Sequence, residues 1–524
     1  LKSLALMFGF ATAVGSISNG FAQTADLSVP RDSQTSSGLR GTATVQAQPV
    51  PDDVGQAKPA AENPTNYGRA RPKKPKLFTP KSPLLRPVPP PATPLPPLVP
   101  YATAPGVRAR KGVPAPDVAA PPPPTVAAVP FNKPPVKPKP DDQPFAPVGI
   151  EAESLRLFPF VELGAGYDTN PNRQSSIVKG SPYGRADAGL DVNSEWENHS
   201  LTAILRGGYS DYFDYHLADR PDLQAKVDGR IDVTRDTQID LEGRFTLDTL
   251  QPGSQQLAVA GSSYIVGRPL IESSGATAGV TQRFDRLSVR LLGTFDRLDY
   301  ENASLSNGSI QQLSLNNYND VAVNGRVSYE LTPGLIPYVD VTGDQRLYDS
   351  STDSSGYNRT SKGIAGKLGS TFEITRVVTG DLAAGYVDRH YTDGRLSNAQ
   401  GPTLDGAINW IPSALTKLTL STGTDFVETT LPGASAAISR RVSLQVAHSF
   451  FRDFTLTGIG TYQVNNYQGQ PTTEHLYTGS LVAEYSLTRE IVLRGTYRHE
   501  RFETTQLSSN YNADVFLLGV RLQR

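Results

Sequence analysis

From about residue 151 to the end of the chain, apolar and polar residues change places at almost every step. In "DTQIDLEGRFTLDT", Ile239, Leu241, Gly243, Phe245 and Leu247 alternate with Asp240, Glu242, Arg244, Thr246 and Asp248. "QAKVDGRIDVT" sets Ala225, Val227, Gly229, Ile231 and Val233 against Lys226, Asp228, Arg230 and Asp232. "REIVLRGTYRHERF" opposes Ile491, Leu493, Gly495 and Tyr497 to Val492, Arg494, Thr496, Arg498 and Glu500. Successive side chains of a strand point to opposite faces, so each segment predicts a strand with one apolar and one polar face. Such strands fit two surroundings: a sheet on a soluble core, or a wall between lipid and a wet interior.

The connections decide between them. Tight turns are expected at "WENHS", "TRDT", "FDRL", "LTPGL", "ITRV", "IPSALTK", "FFRDF" and "LTRE". Between successive tight turns comes a longer polar loop, such as "YDTNPNRQSSIVKGSP" or "YENASLSNGSIQQLSLNNY". Short and long connections alternating along a run of amphipathic strands are the pattern of a membrane barrel with tight turns on one side and long loops on the other. The count is about eighteen strands, with both barrel ends on the short-turn side. The fold class predicted is all-β: a transmembrane up-and-down antiparallel β-barrel over residues 151–524. Outward-phase aromatics fall near both strand ends: Tyr167, Tyr209, Phe245, Phe295, Tyr386, Phe426, Tyr462 and Tyr497 at one, Trp196, Phe284, Phe372, Trp410, Phe450 and Tyr485 at the other. Two such rings are expected where a barrel meets the two membrane–water interfaces.

Composition changes the picture in two places. Hydrophobic residues make up 38% of 524 residues, which is low for a large buried core but suits a barrel with a polar interior. The opening "LKSLALMFGFATAVGSISNGFAQTAD" reads as a secretory leader over 1–22, with cleavage expected after Ala22. Residues 23–150 hold most of the 43 prolines, in runs such as "PPPPTVAAVPFNKPPVKPKP". Proline lacks the N–H that ladders need, so this basic arm is expected to be disordered or polyproline-like. It reads as a periplasmic spacer, with a tether to the cell wall or a periplasmic partner as the sharper alternative.

Candidate chemistry is sparse. The chain has no Cys and its six His form no H-E-x-x-H pair, so no metal site is expected. No cofactor, nucleic-acid partner or enzymatic nucleophile is expected either, for want of a phosphate loop or nucleophile elbow. "DTNPN" offers oxygen ligands without the spacing of a calcium loop and reads as a polar outer loop. The functional candidates are the inward-phase residues of the wall: Arg206, Lys226, Asp228, Arg230, Asp232, Asp240, Glu242, Arg244, Arg290, Arg326, Lys367, Arg494, Arg498 and Glu500. Mixed charges lining a wide lumen set a transverse field on passing ions, unless they are spent on one another.

"FVELGAGYDTNPNR" at the first strand and loop, followed by serial Gly-rich alternating strands, resembles the putative beta-barrel porin 2 type of bacterial outer-membrane proteins. The resemblance covers about Leu155 to Arg524. It implies an outer-membrane barrel surrounded by lipid and a porin-like channel for passive diffusion of small polar solutes. It also implies an alternative: a port or accessory of an exopolysaccharide export system. One departure is the terminal "VFLLGVRLQR", which ends in Arg where such barrels commonly end in an aromatic residue. Phe516, Leu518, Val520 and Leu522 still give it the outward face of a last strand.

Overall fold

A computed structural model describes residues 145–524, apart from 177, 251–264, 430 and 506–509. The leader expected over 1–22 and nearly all of the Pro-rich arm expected over 23–150 lie outside the described residues. Eighteen long strands form one antiparallel sheet that closes on itself. The first nine are β1 (Leu155–Asp168), β2 (Ser181–Ser194), β3 (Ser200–Tyr212), β4 (Arg220–Asp232), β5 (Thr237–Thr249), β6 (Leu270–Phe284), β7 (Leu287–Tyr300), β8 (Tyr318–Tyr329) and β9 (Leu335–Tyr348). The second nine are β10 (Ser361–Thr375), β11 (Val378–Tyr391), β12 (Ala399–Ser413), β13 (Thr416–Glu428), β14 (Ala436–Ser449), β15 (Phe454–Tyr467), β16 (Thr473–Ser486), β17 (Ile491–Thr504) and β18 (Tyr511–Gln523).

Each strand pairs with the next, and β18 returns to β1 in the register Phe160↔Gln523 to Asp168↔Val515. Closure of an antiparallel sheet built this way needs an even strand number, which eighteen satisfies. β1 begins before β18 can reach it, and the short strand Ile150–Ala152 folds back onto Leu155–Leu157 there. That contact covers part of a strand edge that would otherwise present unpaired backbone groups. Connections such as 233–236, 285–286 and 376–377 are short, and they alternate with longer ones such as 169–180, 301–317 and 349–360. At 285–286 the turn is as tight as a hairpin allows, and Asp285 takes the positive φ (55°) that such turns require.

The two faces of the wall have burial opposite to that of a soluble protein. Leu163, Leu368 and Leu518 are 63%, 67% and 69% exposed, while Glu162 and Asp340 on the inner face are 3% and 6% exposed. Apolar side chains displayed outward around a closed sheet, with charges turned inward, are stable only if the outer solvent is hydrocarbon. A 14-residue strand is about 46 Å long, and at the usual barrel tilt it rises about 35 Å, enough to span the apolar layer. Tyr167, Tyr209, Phe295, Tyr386 and Tyr462 are exposed at the loop end, and Trp196, Phe284, Trp410, Phe450 and Tyr485 at the turn end.

This register makes a direct prediction. Leu241→Arg, which sets a charge against lipid, is expected to cost roughly 2–4 kcal/mol if it lies near the bilayer midplane. Thr246→Arg, on the inner face of the same strand, is expected to cost far less. Urea-dependent folding into lipid vesicles measures both, and equal losses would mean that the faces are assigned wrongly.

One seam of the wall departs from regularity. β12 and β13 are backbone-paired only from Gly406↔Thr422 to Ser413↔Thr416, so their loop-side halves part company. The sequence "GPTLDG" explains why. Pro402 supplies no ladder donor. Gly406 adopts φ +144°, where a Cβ would lie 2.1 Å from the carbonyl oxygen of Asp381, so only glycine fits. Thr424 bridges the opening: its Oγ1 accepts from the Leu404 N–H at 3.1 Å, and its own N–H donates to Asp405 at 2.9 Å.

Beyond Thr424 the tip of the β13–β14 hairpin passes inside the wall. Phe426 packs against the cluster of Tyr391, Leu396, Ala399 and Ala436, of which Tyr391 and Ala399 are on the inner face. A side chain at Gly401, also on the inner face, would meet Ile438 at 3.4 Å. Phe426 is therefore no member of the outer aromatic ring to which its phase assigned it. The parted seam carries its outward-phase face under the neighbouring strands.

Candidate functional site

The site is the inner wall, and its charges come from strand periodicity. Residues two apart on a strand share a face, so alternating signs at that spacing create ion pairs along each strand. Lys226 pairs with Asp228 at 2.9 Å and reaches Glu242 of β5 at 3.3 Å. Arg230 pairs with Asp232 at 3.2 Å. Arg244 pairs with Glu242 at 2.9 Å and with Asp296 of β7. The cross-strand register Lys226↔Arg244, Asp228↔Glu242 and Arg230↔Asp240 gathers these seven residues into one patch, joined by the turn "TRDT". Asp240 accepts from Thr281 at 3.5 Å.

The other candidates line the same interior. Arg206 lies 3.3 Å from Asp191, and Lys367 lies 2.7 Å from Asp405. Arg326 pairs with Asp340 at 2.8 Å and stacks over Tyr338 with its guanidinium 4.0 Å from the ring centre. Arg290 is buried directly opposite Arg326 in the ladder. Arg494 lies between Glu162 and Glu484, 3.5 and 3.7 Å away, and Arg498 pairs with Glu500. Twelve strands thus separate Lys226 from Arg498 along the chain, but both belong to one inner surface because the sheet closes.

Two inward-folded segments, neither of them among the sequence candidates, lie against the inner wall. The first is the start of the connection after β1. Arg173 has its guanidinium between Asp168, 2.8 Å away, and Glu500 of β17, 2.6 Å away. Asp168 is fully buried and also accepts from the Asn170 N–H at 2.9 Å and the Tyr212 hydroxyl at 3.3 Å. Asn170 donates to the Asn512 carbonyl at 3.0 Å, tying the same turn to β18. Burial opposes the Arg173 charge, but the Asp168 carboxylate more than offsets it and holds the guanidinium above its ordinary pKa. The polar "DTNPN" stretch is thus an inward clasp whose cation is the chain's own arginine.

The second segment is the tip of the β13–β14 hairpin. Glu428 accepts from Arg346 of β9 at 2.5 Å and from the Tyr348 hydroxyl at 3.1 Å. Arg346 also holds Asp320 at 2.7 Å and donates to the Phe426 carbonyl at 3.1 Å. Arg359, only 1% exposed, pairs with Asp353 at 2.6 Å and donates to the carbonyls of Ala434 at 2.9 Å and Leu431 at 3.3 Å. Glu428 meets β9 although three strands stand between them in the wall. The tip therefore lies inside the wall, over β10 to β12, and narrows the lumen on the loop side.

The histidines serve locally. The His199 ring accepts the Asp232 N–H at 3.0 Å and the His448 ring lies 2.8 Å from the Thr416 hydroxyl, both near tight turns. Among the described residues, Asp211, His216 and Asp219 are the one group spaced to hold a metal ion. They sit on an outer loop, where the Asp219 carboxylate is already accepting the Tyr212 N–H at 2.7 Å.

A closed wall of eighteen strands, apolar outside and charged within, defines an outer-membrane β-barrel of porin-like architecture. The family model of Putative beta-barrel porin 2 matches residues 143–524, and the chain belongs to that family. No curated protein matches the chain in sequence. Among solved structures, the chain is similar to OccK2 (OpdF) of Pseudomonas aeruginosa at 9% identity, over 71% of this chain and 98% of that one, with a TM-score of 0.37. It is similar to OccAB4 of Acinetobacter baumannii at 10% identity, over 70% and 98% of the two chains, with a TM-score of 0.36. The siderophore receptor PirA of Acinetobacter baumannii gives 8% identity over 70% and 80%, with a TM-score of 0.37.

Proposed function

We propose that the barrel is a channel for passive diffusion of small polar solutes across the outer membrane. The observation that carries this reading is the inverted burial of the wall, whose inner face bears charges from one end of the strands to the other. Eighteen strands enclose a lumen wide enough for water, which reaches the less buried of these charges, such as Asp228 and Arg230. No bond is made or broken in transit, and the solute moves down its own gradient.

The charged patch of β4 and β5 supplies the test. Removing Arg230 and Arg244 together would take one cationic partner each from Asp232, Glu242 and Asp296. In a salt gradient, the double variant Arg230→Gln/Arg244→Gln is expected to shift the reversal potential toward cation selectivity. The shift is expected to grow as ionic strength falls, because screening weakens. A folded barrel that conducts with an unchanged reversal potential would show that this patch does not face the conduction path.

A further inference from the structure

Two further arginines, Arg220 and Arg268, lie within electrostatic reach of the Arg173 clasp. Arg220 opens β4 on the loop side, in the same inward phase as Asp222 and Lys226. Arg268 lies just before β6 and donates to the Pro171 carbonyl at 2.7 Å, which draws it onto the inward-folded turn. Arg220, Arg173 and Asp168 all exert their charge on Arg268. Of these cations, Arg173 is matched by Asp168 and Glu500. The nearby Asp222 is taken by Arg185 at 2.9 Å.

Among the described residues neither Arg220 nor Arg268 has an ion pair, and the Nε of each is closed off from solvent without a hydrogen-bond partner. The undescribed part of the adjoining connection, "QPGSQQLAVAGSSY", contains no acidic residue that could supply one. Both residues are otherwise only half-buried, so their forks can be reached from solvent, and two neighbouring cations with no ion pair of their own favour an anion between them. Burial, followed by the charge of Arg220, pushes the Arg268 pKa down to about 9, which leaves it a cation at neutral pH.

We propose that Arg220 and Arg268 form an oxyanion-binding site on the loop side of the lumen, taking the carboxylate or phosphate group of an entering solute. The planar N–H forks of two guanidinium groups match both groups. The site deepens the channel reading by naming anionic solutes as a class that the lumen holds. Its occupancy can be measured whether or not the barrel conducts.

The full-length protein, folded in detergent and free of chloride, would be titrated by calorimetry with inorganic phosphate and with succinate. Wild type and the variant Arg395→Gln, at an exposed arginine in the connection between β11 and β12, are expected to bind at least one of them. Arg220→Gln and Arg268→Gln are each expected to weaken that binding about tenfold or more, the scale of a lost charged hydrogen bond. Arg268→Lys, which keeps the charge, is expected to fall between, and heat-dependent gel mobility confirms that each variant is a folded barrel. Preference for succinate assigns the site to carboxylated solutes, and preference for phosphate to phosphorylated ones. Absence of binding by folded wild type overturns the proposal, as does equal affinity in wild type and both glutamine variants. Such results leave the channel reading standing, since that is read from current.

Discussion

Replacing Glu428 with alanine, together with Arg359→Ala, is expected to raise the permeability of the barrel to small sugars several-fold. Glu428 joins the hairpin tip to Arg346 and Tyr348, and Arg359 holds the carbonyls of Leu431 and Ala434. Backbone pairing to β12 cannot substitute for these contacts, because β12 and β13 are unpaired beyond Gly406 and Thr422. Without the two side chains the tip keeps the Arg346 bond to the Phe426 carbonyl, its apolar neighbours and the pairing of β14 with β15. Loss of Glu428 leaves Arg346 with Asp320, so no buried cation is stranded there. Sugar-driven swelling of vesicles measures the effect. An unchanged rate, with the barrel folded, would mean that the tip is not what limits passage.

Arg173→Ala is expected to destabilise the barrel more than the lipid-facing change Leu241→Arg does. It strands Asp168, fully buried, without its ion-pair partner and leaves Glu500, 4% exposed, with Arg498. Breaking one partner out of a buried ion pair costs roughly 3–5 kcal/mol, because the remaining charge is left uncompensated. Adding Asp168→Asn to Arg173→Ala is expected to recover much of that loss, since a neutral amide needs no counter-charge and Glu500 keeps Arg498. The comparison of folding free energies in urea gives the coupling directly. A loss in the single variant no larger than for a surface arginine would rule out the clasp as a structural element.

The wall of this protein was legible in the sequence because strand periodicity and membrane solvation act on every residue alike. Leu241 and Leu493 had to face one way and Arg244 and Arg494 the other, and the alternation of tight turns with long loops counted the strands. What lies inside the wall was not legible. Asp168 and Arg173 are five residues apart in a stretch that looks like any polar loop, and their third partner, Glu500, comes from the far end of the chain. Glu428 and Arg346 likewise meet only because a seam opens.

That seam did leave a mark in Pro402 and Gly406, the two residues of "GPTLDG" least suited to a regular interior strand. Phase misplaces Phe426 for the same reason. It fixes a side chain's face relative to its own strand, and says nothing about a strand that leaves the wall. The ion pairs along single strands, such as Lys226 with Asp228, follow from two-residue spacing. Those across strands, such as Arg244 with Asp296, needed the register.

Single-channel recording in planar bilayers, with wild type and the Glu428→Ala/Arg359→Ala variant compared in the same salt, tests the central claim of an open diffusion channel most directly. Discrete ohmic conductance steps are expected in wild type, and larger steps in the variant whose hairpin tip is released. Folded barrels that insert into the bilayer yet carry no current in either form would contradict that claim.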